Sequence, residues 1–168
     1  AAILTRIAPC HLQGFGSLEA VYDTKLELMA SLKPGSVAII PDDDPVLYAR
    51  MQPFGLRAFR VGTGPEADYR VSGIEIREGW TYFTLNQNYR FAFPGLAGFL
   101  SVNAAFGLAM LEQLGFDLKK IPSRWEDFIL PQGRFTLRRL GQDIRVIDDG
   151  YNANPESFAK ALEVLDGM

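Results

Sequence analysis

The sequence predicts an α/β domain with a mainly parallel sheet and a small antiparallel sheet, followed by the start of a second α/β domain. Three observations lead there. Strand and helix signals alternate through the first half of the chain, the pattern of parallel strands joined by helical crossovers. Three short aromatic-rich runs then follow with alternating polarity, joined by the turn-forming segments Glu78-Gly79 and Asn86-Gln87-Asn88. A long apolar helix comes next, and a further strand pair and helix close the chain.

Ala2–Ile7 reads as a buried strand, followed by a Gly-rich loop and a helix for which Ser17 is the N-cap. Val37–Ile40 is a second strand, running into the acidic turn Pro41-Asp42-Asp43-Asp44-Pro45. A short helix over Val46–Met51 leads to a strand at Leu56–Val61. The antiparallel runs are Tyr69–Ile76, Trp80–Leu85 and Tyr89–Phe93. The apolar helix covers Gly98–Leu114 and stops at Gly115, and a short helix is expected over Asp117–Phe128. Strands Phe135–Leu140 and Ile144–Ile147 flank the turn at Gly141-Gln142. The last helix opens with Asn154 as N-cap and Pro155 at the first helical position, with Phe158, Ala161, Leu162 and Leu165 at helical spacing. The polar segment Asp148–Asn154 has the composition of a hinge.

Composition removes several classes. With 168 residues, 48% hydrophobic and 22% charged, the chain can bury a core of ordinary size. A formal net charge of -3 and the lack of a basic stripe argue against nucleic acid as a partner. The longest apolar stretch, Phe91–Met110, is broken by Pro94, Gly95, Gly98 and Asn103, so no membrane insertion is expected. Cys10 is the one cysteine, which excludes an internal disulfide and a multi-cysteine metal site. There is no secretory signal pattern at the start, so a cytoplasmic location is expected. Both ends fall within a pattern, and the chain reads as a piece of a longer protein.

The helix after Ser17 carries the best functional clue. At about 100° per residue, Leu18, Val21, Tyr22, Leu28, Met29 and Leu32 share one face, and Lys25 falls in its centre. An unpaired buried ammonium is costly, so Lys25 either snorkels to water or sits in a site where it is paired or modified. His11, the only histidine, stands at the end of the first strand. It is either a structural residue or a ligand-facing one, since ligands of open α/β sheets gather at the carboxyl ends of strands. The loop Gln13-Gly14-Phe15-Gly16 allows His11 and Lys25 to meet over one crevice.

These residues resemble a known family. Ile7-Ala8-Pro9-Cys10-His11-Leu12-Gln13-Gly14-Phe15-Gly16-Ser17-Leu18, with Lys25 seven residues on, is similar to the Mur ligases. So is Ile147-Asp148-Asp149-Gly150-Tyr151-Asn152-Ala153-Asn154-Pro155, which looks like the start of their C-terminal domain. Gln132-Gly133-Arg134 and Asn103-Ala104-Ala105 fall between them in matching order. The resemblance implies a division at 1–147, the second half of the central ATPase domain, and 148–168, the hinge and first helix of a C-terminal α/β domain. It implies an ATP-dependent ligase of peptidoglycan synthesis, monomeric at full length. Such an enzyme joins D-alanyl-D-alanine to a UDP-N-acetylmuramoyl peptide through an acyl phosphate, using ATP and Mg2+. Lys25 then matches a carbamylated lysine that supports magnesium, and His11 a magnesium ligand. Asn103 matches the residue that reads adenine, Arg134 one near the ATP phosphates, and Asp149 one that binds ribose. Tyr151, Asn152 and Asn154 match the hinge and nucleotide-contact block. On the residues alone, Asn154 is also explained as a cap, Asn103 by a helix-face hydrogen bond, and Arg134 and Asp149 as surface charges.

Several features depart from the family pattern. The phosphate-binding Gly-Lys-Thr run is missing, so the chain by itself is expected not to turn over ATP. Arg6 stands where asparagine is usual, and Gln13 where a carboxylate is common. The glycine-arginine-histidine-asparagine element ahead of Asn103 reads Ala97-Gly98-Phe99-Leu100. These departures leave a second reading open, a divergent non-catalytic binding or scaffold domain of the same fold. A folylpolyglutamate- or cyanophycin-synthetase-like enzyme is a third, against which the Asp148–Pro155 block argues.

Overall fold

The computed structural model describes residues 1–9, 12–141, 144–151 and 155–166. Six strands form one mixed sheet in sequence order: β1 (Ala2–Ile3), β2 (Val37–Pro41), β3 (Arg57–Gly62), β4 (Tyr69–Arg77), β5 (Trp80–Leu85) and β6 (Tyr89–Pro94). The pairs β1–β2, β2–β3 and β3–β4 are parallel, whereas β4–β5 and β5–β6 are antiparallel. The antiparallel runs therefore do not stand apart. Val61↔Tyr69 and Gly62↔Arg70 join them to the parallel part.

Strand burial explains the residue choice. All five residues of β2 are buried, as expected for a parallel strand covered on both faces. Ala38 and Ile40 point to one face, where Val21, Tyr22, Leu26 and Met29 of α2 (Leu18–Ala30) and Leu47 and Met51 of α3 (Pro45–Met51) cover them. Val37 and Ile39 point to the other, toward Ala105, Phe106, Leu108 and Ala109 of α4 (Leu100–Gln113). In β5 the alternation is strict: Thr81, Phe83 and Leu85 are buried, and Trp80, Tyr82 and Thr84 are half-buried. A short helix α1 (Leu12–Phe15) precedes α2, whose N-cap Ser17 accepts from Ala20 N at 3.2 Å.

The strand pair β7 (Thr136–Leu140) and β8 (Ile144–Asp148) forms a separate two-stranded antiparallel sheet, and α5 (Pro155–Asp166) follows it. Ala97, Phe135 and Ala161 are buried together, with Phe99, Leu100, Leu130, Ile147 and Val164 against them. This small cluster links the start of α4 to β7, β8 and α5.

Some expectations need correction. The first strand is two residues long rather than six, although Leu4 N still donates to Ile39 O at 2.9 Å. The helix expected over Asp117–Phe128 is a single 3-10 turn, Leu118–Lys120. Pro122 removes a backbone donor, and the chain then serves the sheet instead. Ala92 N donates to Ser123 O at 2.7 Å, and Trp125 N donates to Ala92 O at 2.9 Å. The Trp125 ring packs on Phe91 and Phe93 of β6, with centroids 5.5 and 6.3 Å away. The buried face of α2 is rotated from the expected one: Leu26 is in it, and Leu28 is 47% exposed. The expected cap residue Asn154 lies outside the described residues.

Candidate functional site

Three strands deliver polar groups to the carboxyl edge of the parallel sheet, where open α/β sheets take their ligands. The acidic turn after β2 is their meeting point, and each of its aspartates is held by a different element. Asp42 accepts from Gly64 N, in the loop after β3, at 2.7 Å. Its carboxylate lies so close over Gly62 that a methyl group there would overlap Asp42 Oδ1. Asp43 pairs with Arg6, three residues past β1, at 2.9 Å. Asp44 caps α3 by accepting from Leu47 N at 2.8 Å, and the Tyr22 hydroxyl of α2 donates to both of its oxygens at 2.9 Å.

Tyr22 is the buried part of this arrangement. Arg50 stacks over its ring at 5.1 Å and pairs with Asp23 at 3.1 Å. Burial, with the Asp44 carboxylate at its hydroxyl, pushes the Tyr22 phenol up to about 12. Neither Tyr22 nor Arg6 was assigned a role from the sequence. The signal available was the Asp42-Asp43-Asp44 run after a buried strand, but nothing in it names partners 22 and 37 residues away.

Lys25 does not enter the core. It is exposed, although Val21 and Met29, one turn before and after it, are buried. The burial cost inferred from the helix pattern is therefore not incurred: the stem leaves between two buried neighbours and the ammonium reaches water. His11 lies outside the described residues, so the expected meeting of His11 and Lys25 does too. Among the described residues, no group of three or more His, Cys, Asp or Glu is placed to hold a metal ion.

A second cluster forms around the strand pair. Arg134 stacks over the Tyr151 ring at 4.4 Å, and Tyr151 N donates to Gly133 O at 3.1 Å. Gly133 has φ 72, and a side chain there would press on Tyr151 N. Asp149 Oδ1 accepts from Phe135 N at 3.0 Å. Arg134, Asp149 and Tyr151, far apart in the sequence from Asn103, are thus brought together. Asn103 is exposed on α4, one turn after Phe99, whose ring meets Phe135. Asn152 and Asn154 lie outside the described residues. α2, which carries Lys25, and α4, which carries Asn103, cover opposite faces of the sheet.

A parallel sheet covered by helices on both faces and extended by antiparallel strands defines an α/β domain. The Mur ligase middle domain model matches residues 1–111, and the chain belongs to that family. It is 27% identical over 100% of its length to the UDP-N-acetylmuramoyl-tripeptide--D-alanyl-D-alanine ligase of Bacillus subtilis, of which it covers 36%. It is 29% identical over 96% of its length to the UDP-N-acetylmuramate--L-alanine ligase of Syntrophotalea carbinolica, covering 36% of that protein. The MurF ligase of Thermotoga maritima in complex with ADP superposes with a TM-score of 0.79 at 26% identity, over 97% of this chain and 38% of that one. The chain thus spans about a third of the length of these relatives.

Proposed function

We propose that the protein to which this chain belongs is an ATP-dependent ligase that adds D-alanyl-D-alanine to a UDP-N-acetylmuramoyl tripeptide in peptidoglycan synthesis. The observation that carries this reading is the end-to-end likeness to the tripeptide ligase of Bacillus subtilis, at 100% coverage of this chain. In the reaction, the γ-phosphoryl group of ATP passes to the peptide carboxylate, giving an acyl phosphate and ADP. The amine of D-alanyl-D-alanine then attacks the acyl carbon, forming the amide and releasing phosphate and the amine proton.

The residues fall into two groups on this reading. Asn103, Arg134, Asp149 and Tyr151, together with Asn152 and Asn154, take the nucleotide: Asn103 the base, Asp149 the ribose and Arg134 the phosphates. The stacked Arg134–Tyr151 pair and the Asp149–Phe135 bond support it, since each holds a polar side chain in a fixed direction before the ligand arrives. His11 and Lys25 are the residues for Mg2+, with Lys25 as a carbamate. The described residues do not by themselves supply a magnesium site, and the assignment rests on the family resemblance. The division between a central domain at 1–147 and a C-terminal one at 148–168, a monomeric state and a cytoplasmic location belong to the same proposal.

The test is substrate choice by the full-length protein. With ATP, UDP-N-acetylmuramoyl tripeptide and D-alanyl-D-alanine it should release ADP and form the amide; UDP-N-acetylmuramate with L-alanine should give neither. Lys25→Ala should slow ligation by at least about tenfold, with partial recovery on adding short carboxylates. Amide formation with L-alanine instead would move the protein to the other ligase class. Silence with both pairs would favour the non-catalytic reading, which the departures at Arg6, Phe99 and Leu100 support.

A further inference from the structure

We infer that the segment Ser123–Trp125 is a clasp over the open edge of the antiparallel strands, and that its release lets two copies of the chain pair through β6. β6 ends the six-strand order, so among the described residues one of its sides has no neighbouring strand. An edge of that kind offers a row of backbone donors and acceptors to any second strand. Ala92 faces away from β5: its N–H donates to Ser123 O at 2.7 Å, and its C=O accepts from Trp125 N at 2.9 Å. Alternate residues of an antiparallel strand turn their backbone groups the same way, so Arg90 and Pro94 face outward with Ala92. Arg90 places a charge at this edge and Pro94 has no N–H to offer, which leaves Ala92 as the position the clasp must cover.

The clasp grips both faces of the sheet. Arg124, bridged to Ala92, lays its guanidinium over the Trp80 ring of β5, 4.1 Å from the centroid. Trp125 goes to the other face, where its ring packs on Phe83, Phe91 and Phe93 with centroids 6.2, 5.5 and 6.3 Å away. The faces are opposite because half-buried Trp80 alternates along β5 with buried Thr81 and Phe83. Two backbone bonds, both at Ala92, tie the clasp to β6. A segment held mainly by side chains opens locally more readily than the sheet it covers. Opening leaves the Ala92 donor and acceptor unpaired beside apolar rings. Every copy presents the same edge, and an antiparallel edge is self-complementary about a two-fold axis, so a second copy is the partner that fits. Pairing centred on Ala92 sets each Arg90 N–H against the other copy's Pro94 C=O, so Pro94 narrows the register without closing the edge.

The experiment follows amide exchange at Ala92 and molar mass by sedimentation, both across a concentration series of the full-length protein. Arg124→Ala, a change at an exposed residue, should speed Ala92 exchange by about threefold, the worth of one cation–π contact. Trp125→Ala should speed it by at least about tenfold and make the mass rise with concentration. As the mass rises, exchange at Ala92 should slow again, because the second copy takes up the bonds that the clasp gave up. Adding Arg90→Pro removes an outward N–H and should bring the mass back to that of the unsubstituted protein. Where Trp125→Ala does not fold, the same series is run on Trp125→Leu combined with Arg124→Ala, which keeps an apolar residue in the core. The proposal is overturned if Arg124→Ala leaves Ala92 exchange unchanged, or if the opened protein keeps the unsubstituted mass at every concentration. It is equally overturned if the opened protein associates while Ala92 goes on exchanging freely, or associates as well with Arg90→Pro.

Discussion

Phe99 and Phe135 meet edge to face, their ring centroids 5.2 Å apart and their planes at 88°. This contact fastens the start of α4 to β7, and Arg134, the residue before Phe135, is carried with it. Where the Mur ligase pattern has a polar element ahead of Asn103, this chain has spent the position on packing. Phe99→Ala should therefore lower stability by about 2 kcal/mol, less than a fully buried phenylalanine because Phe99 is only half-buried. Amide exchange in β7 and β8 should accelerate first. Unchanged denaturant midpoint and unchanged exchange would show that the aromatic pair holds nothing.

Gly62 is required by its neighbour rather than by its own backbone. A methyl group added there would collide with the Asp42 carboxylate that Gly64 N holds. Gly62→Ala should cost about 2–3 kcal/mol through overpacking and the strained Asp42–Gly64 bond. Combining it with Asp42→Ala should cost clearly less than the sum of the two single changes, because the second change removes the group that clashes. Strict additivity in a thermal or denaturant series would contradict the geometry.

Two buried phenols set the alkaline limit. Tyr22 and Tyr69 are both pushed up to about 12, by burial and by the carboxylates of Asp44 and Glu112 that accept from their hydroxyls. A folded-state value above the unfolded one of about 10 means the folded state holds on to these protons longer. The stabilisation is complete below pH about 10 and is lost as pH rises toward 12. Stability should fall across that interval, and the fall should be shallower in Tyr22→Phe and Tyr69→Phe. An unfolding free energy that stays flat from pH 9 to about 12 would rule this out.

Much of the fold was readable because periodicity reports burial. The five-residue run of β2 and the alternation of β5 gave strands in place, and the α4 apolar stretch gave a helix within two residues of each end. The helix expected over Asp117–Phe128 failed because backbone pairing of Ser123 and Trp125 with Ala92 outweighed local helical preference. Lys25 lies on the buried side of α2 by angle and is exposed in fact, since a helical wheel says nothing about where the covering layer stops. Arg134, Asp149 and Tyr151, which the resemblance proposes for the nucleotide, lie together around the strand pair. The Arg6–Asp43 and Tyr22–Asp44 contacts were not legible, because pairing across 37 and 22 residues leaves no periodic trace.

The irregularity in β4 has a consequence for how this chain can change length. Ser72 is opposite Thr84, but Glu75 is opposite Tyr82, so one strand advances three residues while the other advances two. The extra residue, beside Gly73 at φ 58, shifts the phase of everything after it. Ile76 thereby shares a side with buried Thr81, and Glu75 shares the outer side with Tyr82. Loss of one residue here, at Gly73 or Ile74, would restore regular pairing and leave Glu75 opposite Tyr82 and Ile76 opposite Thr81. The hairpin can therefore lose that one residue without changing the side its far end presents, whereas a single deletion in a regular stretch of the ladder would reverse every side chain beyond it.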